Sequence, residues 1–251
     1  GRRKPLTLNA LRDHILRQQP EAVLNLLHEI EQFAGIRVEF WLYPEDSIPD
    51  GSNPFAATLQ VHRDAADILV RDPDRTTSQQ VLHELLHLQR YWMEGVPQVV
   101  PVGTDPGNWD ITSQIENVLE HLVIIPRERE RGIDSFPYWR ENLCGFWKSY
   151  PWPNLQNDFA RRKNALLSWL QLEDLEPSIE LRTIAENALR SEGLLTEAKR
   201  LRSRIKLKIR DKPQMIAHAL QASRIPRNNV RLLYFDVKAR SEQRETVPKT
   251  R

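Results

Sequence analysis

The sequence contains little cysteine and glycine, and it has no long apolar run. Its single cysteine, Cys144, cannot form an intramolecular disulfide, and this predicts a reducing, cytoplasmic location. No apolar run approaches the ~18 residues of a membrane-spanning helix, so no membrane partner is expected. Only 9 glycines among 251 residues predict few flexible linkers. These absences argue against disulfide-rich secreted scaffolds and membrane-spanning proteins as classes.

Charge is distributed unevenly along the chain, although the net charge is only +2. Residues 198–251 contain 16 Lys and Arg but only 4 Asp and Glu, a local net charge of +12. The rest of the chain is therefore net negative, by 10 charges. A basic region of this kind can bind phosphate backbones or an acidic protein. We therefore expect a nucleic acid or an acidic protein as a partner of the basic C-terminal region.

The first half of the chain combines helical and strand patterns. Apolar residues recur at three- and four-residue spacing over residues 6–33, a helical region that Pro20 divides and Gly35 ends. Alternating or β-branched stretches predict strands over 36–43, 57–62 and 68–70, with a loop over 44–54. A helix capped within residues 76–78 follows, then a loop over 95–108 and a second helix from about residue 110, ended by Pro126.

The second half has a mostly helical pattern. Residues 136–152 are aromatic and are expected to pack as core or as a cap over the first domain, and helices are predicted over 154–172, 178–189 and 196–210. The last of these also fits a basic-faced strand, because its Lys and Arg fall on alternate residues from 200 to 210. A strand is predicted over 230–237, followed by a mobile polar tail from Lys238.

The motif His-Glu-Leu-Leu-His at residues 83–87 lies within an apolar helical pattern. Histidines four residues apart project from the same face of a helix, one turn apart, and can bind one zinc ion at about 2.0–2.1 Å each. Glu84 leans to the same side, where it can act as the general base toward a zinc-activated water. The opposite face is apolar, with Val81, Leu82, Leu85, Leu86, Leu88 and Trp92.

This motif resembles the catalytic helix of the zincin metallopeptidases, and the second helix resembles that of the gluzincin-like and ImmA/IrrE-type members. The resemblance implies an α+β fold: a small mixed sheet above the helix that carries His83 and His87, and a third-ligand helix further along the chain. We therefore expect a zincin-like metallopeptidase domain over residues 1–150, followed by a basic, mostly helical accessory region over 151–251.

Three residues of the second helix compete as the third zinc ligand: Glu116, Glu120 and His121. A zinc site of this kind needs one more protein ligand and leaves the fourth position for water. Glu116 lies at the edge of the apolar arc, which favours it, whereas His121 lies near the other edge and stays open as an alternative. The gluzincin resemblance implies that Glu120 hydrogen-bonds His83 and fixes its tautomer. His121 and Tyr91 are also candidate catalytic donors to the oxyanion.

The function that these residues predict is zinc-dependent hydrolysis of peptide bonds, with Glu84 as general base and Zn²⁺ as cofactor. We expect limited, regulatory cleavage of an intracellular protein or peptide, which the strand over 57–62 would align by main-chain pairing. One alternative is a nucleic-acid-associated protein that acts through its basic C-terminal region. The other is a non-catalytic metal-binding scaffold, although such a scaffold has no use for Glu84.

Overall fold

The computed structural model describes residues 7–44 and 57–251, and over these residues the protein is a mostly helical α+β structure. The α+β class predicted from the sequence is confirmed. The loop predicted over residues 44–54 lies outside the described residues except for Pro44. None of the described helices combines the length and apolarity that crossing a membrane requires.

The described elements follow the chain in this order. The helices are α1 (Leu8–Leu16), α2 (Glu21–Ala34), α3 (Ser78–Trp92), α4 (Pro106–Glu130), α5 (Phe136–Lys148), α6 (Asp158–Asp174), α7 (Ile179–Ser191), α8 (Leu195–Leu207) and α9 (Lys212–Ala222). The strands are β1 (Val38–Leu42), β2 (Thr58–Val61), β3 (Ala66–Val70), β4 (Gln98–Pro101), β5 (Val230–Asp236) and β6 (Ser241–Thr246).

The first two helices lie in the predicted helical region, on either side of Pro20. The Thr7 side chain accepts a hydrogen bond from the backbone N–H of Ala10 and so caps α1. Pro20 immediately precedes α2. Gly35 ends α2 in the left-handed conformation, with φ of 60°, which glycine adopts without a steric penalty. The predicted division at Pro20 and the predicted stop at Gly35 are confirmed.

A mixed sheet of three strands, in the order β1-β3-β2, packs with α3. Strand β1 runs parallel to β3, with Phe40 opposite Ile68, and β2 runs antiparallel to β3, with Leu59 also opposite Ile68. The central strand β3 is largely buried, as its β-branched sequence predicts. Strand β2 is therefore an edge strand, and it contacts α3.

Helix α4 continues past Pro126 to Glu130, so the predicted end at Pro126 is wrong. A proline inside a helix lacks the N–H that would bond the carbonyl four residues earlier, at a cost of about 3 kcal/mol. Ile124, Ile125 and Glu128 are buried on either side of Pro126, and the Glu128 carboxylate accepts a hydrogen bond from the Ser135 hydroxyl. The hydrogen bond between Ser135 and Glu128 ties down the turn that follows the proline.

Two segments that lack a clear sequence pattern contain strands. Residues 98–101, within the predicted loop, form β4, which pairs antiparallel with β5 so that Gln98 lies opposite Leu233. The predicted mobile tail contains β6, whose residues are all exposed and so carry no hydrophobic alternation. The turn before β6 is tied down by Arg240, whose Nη1 donates to the carbonyls of Ala34 at 3.0 Å and Val237 at 2.7 Å. Residues 195–207 form a helix and not a strand.

The chain packs into two compact units. The first comprises Gly1–Val96 and Tyr234–Gln243, with α1 to α3 and the mixed sheet. The second comprises Pro97–Leu233 and Arg244–Arg251; in it, α4 packs against β4, α6 and α9, and α6 also packs against α7 and α8. The boundary at residue 150 was predicted for a peptidase domain with an accessory region, and that assignment stays a prediction.

Candidate metal centre

Helix α3 presents His83 and His87 together. A capping box begins the helix: the Thr77 hydroxyl accepts from the backbone N–H of Gln80, and the Gln80 side chain accepts from the backbone N–H of Thr77. One turn further on, His83 and His87 are each 7% exposed, and their ring centroids lie 4.9 Å apart at an interplanar angle of 79°. The apolar face, including Leu85, is buried as predicted.

His121, the alternative third ligand, joins these two histidines. One nitrogen each of His83, His87 and His121 lies within 4.8 Å of the others, and all three side chains are buried. Neither Glu116 nor Glu120 belongs to this group among the described residues. Three imidazoles are a donor set that zinc accepts in sites with an open fourth position. The residues therefore fit a metal ion, and imidazole also suits copper, iron and nickel, so the donors alone do not identify the metal.

Neighbouring side chains orient His121 and His87. The side-chain amide of Gln171 lies 3.0 Å from Nδ1 of His121, and the indole of Trp139 packs against the same ring at a centroid distance of 4.6 Å. The Tyr91 hydroxyl lies 3.5 Å from Nδ1 of His87, and Tyr91 is 3% exposed. Contacts of this kind at Nδ1 fix the orientation of a histidine ring.

The Glu84 carboxylate contacts the edge strand of the mixed sheet. Its Oε2 accepts a hydrogen bond from the backbone N–H of Leu59, on β2, at 3.0 Å. Glu84 is half-buried, in contrast to the two histidines beside it in the motif. Glu84, the predicted general base, is therefore hydrogen-bonded to β2, the strand predicted to align an extended peptide.

Glu116 and Glu120 form a buried ion-paired group with Lys212, the first residue of α9. The Lys212 ammonium lies 2.6 Å from Oε1 of Glu116 and 2.8 Å from Oε1 of Glu120. The other carboxylate oxygen of Glu116 accepts from the backbone N–H of Val99, on β4, at 2.8 Å. A cation and an N–H donor thus occupy both oxygens of Glu116, the residue that the sequence favoured as third ligand.

Lys212 and Gln171 are two site residues that no sequence pattern indicates. Lys212 lies 96 residues from Glu116, and Gln171 lies 50 residues from His121, so no periodic pattern connects either pair. The one local signal for Lys212 is a lysine at the first position of a helix that contains no other Lys, Arg, Asp or Glu, after the capping residue Asp211.

Comparisons with protein-family models, with curated proteins and with solved structures gave no match for this chain.

Proposed function

We propose that the protein is a zinc-dependent metallopeptidase whose metal ligands are His83, His87 and His121. The observation that supports the proposal is the convergence of three buried imidazoles around a helix that also carries Glu84. Three neutral nitrogen ligands leave the charge of a divalent ion uncompensated, which is what activation of water requires. Glu84 beside them supplies the base that a purely structural site does not need.

Each residue has a distinct role in the proposed reaction. His83, His87 and His121 hold the metal, which when bound would supply Lewis-acid activation of water and of the scissile carbonyl. Glu84 accepts the proton of the attacking water and returns it to the leaving amine. Tyr91 and Gln171 orient His87 and His121 through the Nδ1 contacts, so in this proposal Tyr91 positions a ligand instead of donating to the oxyanion.

The substrate in this proposal is an extended peptide that pairs with β2. This strand is one of the two edge strands of the mixed sheet in the described part of the chain, and edge strands bind extended peptides through main-chain hydrogen bonds. The contact between Leu59 and Glu84 fixes the general base relative to that edge. Limited cleavage of a protein partner in the cytoplasm stays a prediction from the sequence.

Metal analysis of purified variants tests the ligand set. We expect about one zinc per chain in the wild type, and its loss in His83→Ala, His87→Ala and His121→Ala. Glu116→Gln should retain the metal because its carboxylate already has two partners. His28→Ala, an exposed histidine of α2, is the matched control and should also retain it. Metal lost in Glu116→Gln but kept in His121→Ala would contradict the proposed ligand set.

The catalytic proposal is tested by Glu84→Gln, a near-isosteric change that removes the base. We expect metal content to be unchanged and peptide cleavage to fall by about 10²–10⁴-fold, the usual contribution of a general base. Cleavage of a mixed peptide library, followed by mass spectrometry, provides the assay. A wild type that binds zinc but cleaves no peptide would instead support the non-catalytic scaffold.

A nucleic-acid-binding function is the second candidate, supported by an exposed basic face of α8. Arg200 and Arg204 lie one helical turn apart and are both exposed. Part of the basic charge is compensated locally, since Arg202 and Lys206 both pair with Asp174. Binding to single- and double-stranded DNA and RNA at several salt concentrations tests this function, which requires an affinity that falls steeply with salt.

A further inference from the structure

The second unit contains a pocket of about 310 Å³ bordered by α4, α5 and α6, and His121 lies in its wall. No Asp, Glu, Lys or Arg is found among the described residues that line it, although such residues make up 28% of the chain. Its polar lining consists instead of side-chain amides and one hydroxyl: Gln114, Asn117, Asn142, Asn164, Gln171 and Ser168.

Buried apolar side chains form the floor of the pocket, and exposed side-chain amides lie at its rim. Leu143, Leu167 and Leu175 are buried beneath it, whereas Asn117 and Asn142 are exposed at its rim. Apolar surface with a few hydrogen-bonding groups is the usual composition of a small-ligand site. The volume lies at the lower end of the roughly 300–1,000 Å³ range of such sites, which suits one side chain better than a large ligand.

Gln114 offers this pocket an unused acceptor. Its amide nitrogen is held by the Asp110 carboxylate, at 3.3 and 3.4 Å, so the amide oxygen is the atom left for a ligand. That oxygen, Oε1, is buried and has no hydrogen-bond partner in the described part of the chain. A buried acceptor without a partner is costly unless a donor reaches it, and a ligand N–H would supply one.

We propose that this pocket binds the carboxamide side chain of a glutamine or asparagine in a peptide. A carboxamide both donates and accepts hydrogen bonds, as the amides that line the pocket do. The methylene groups of the glutamine or asparagine side chain would contact the leucines at the floor of the pocket. The described side chains that line the pocket offer no counter-charge to a carboxylate or an ammonium group. The inference rests on the proposed function, because His121 is both a wall of the pocket and a proposed metal ligand.

Binding of capped amino acids to the full-length chain tests the inference directly. The probes are N-acetylglutamine amide and N-acetylglutamate amide, which have nearly the same shape and differ in charge. The readout is the side-chain NH₂ signals of Asn and Gln in ¹H–¹⁵N spectra, recorded with and without a chelator. We expect the glutamine probe to bind at least about tenfold more tightly, since the site leaves a carboxylate unpaired.

Matched variants locate the binding. Ser168→Leu fills the pocket at a half-buried position whose hydroxyl makes no hydrogen bond in the described part of the chain, and it should weaken the glutamine probe at least about tenfold. Ser113→Leu, the same change at an exposed position of α4, should leave binding unchanged. Asn142→Ala at the rim should weaken it about threefold through one lost hydrogen bond, with Asn187→Ala as its control.

The inference and the proposed function fail in different ways. Equal binding of the two probes, no binding of either, or equal effects of Ser168→Leu and Ser113→Leu would overturn the inference whatever the metal content. Binding that survives the chelator, in a chain that holds no zinc and cleaves no peptide, would support the pocket and contradict the peptidase.

Discussion

Replacing Lys212 by Met tests the buried ion-paired group. The Lys212 side chain is 2% exposed, and its carboxylate partners Glu116 and Glu120 are 7% and 0% exposed. Removal of the ammonium leaves two carboxylates in a buried site, where each loses its ion pair with Lys212. Breaking a buried pair in this way costs about 3–5 kcal/mol. For a chain of this length the corresponding fall in Tm is roughly 6–20 °C.

Urea and thermal unfolding, followed by circular dichroism, measure this loss. Lys199→Met is the matched control, because Lys199 is 53% exposed and pairs with Glu186 at the surface; it should cost less than about 1 kcal/mol. Adding Glu120→Gln to Lys212→Met should recover part of the loss by neutralising the fully buried carboxylate. A Lys212→Met variant as stable as Lys199→Met would refute the argument and would free Glu116 to be considered again as a ligand.

Three further predictions concern stability. Thr77→Ala removes the cap of α3 and should cost about 1 kcal/mol in urea unfolding; no loss would contradict the capping box. The hydrogen bond from Arg161 lowers the pKa of Glu192 in the folded protein. The ionised carboxylate therefore stabilises the fold at pH values above its pKa in the unfolded chain, and this stabilisation is lost as pH falls through the lower pKa of the folded state. The Tm difference between wild type and Glu192→Gln should therefore shrink toward pH 3, and a constant difference would refute this. Burial lowers the pKa of His218 below its ordinary value of about 6.5, so the wild type should lose more stability than His218→Gln between pH 7 and 5; parallel curves would contradict it.

Local patterns in the sequence predicted much of the first unit. The four-residue spacing of His83 and His87 determines their common face on any helix, and the capping residues before α3 lie within four residues of the first turn. Gly35 could be predicted to end α2 because the conformation it adopts is unfavourable for other residues. These features depend only on residues within one or two helical turns of each other, so they can be predicted from the sequence alone.

Contacts between distant residues decided the rest. From the sequence, Glu116 and His121 of the same helix were both candidate metal ligands. In the structure, Glu116 pairs with Lys212, which lies 96 residues away in the chain, whereas His121 lies close to His83 and His87. Helix α4 continues past Pro126 against the local preference of proline, with Glu128 hydrogen-bonded to Ser135. Pairing with β5 makes a strand of the fully exposed β6. Such outcomes depend on which surfaces contact each other in the folded protein, and local sequence periodicity does not predict those contacts.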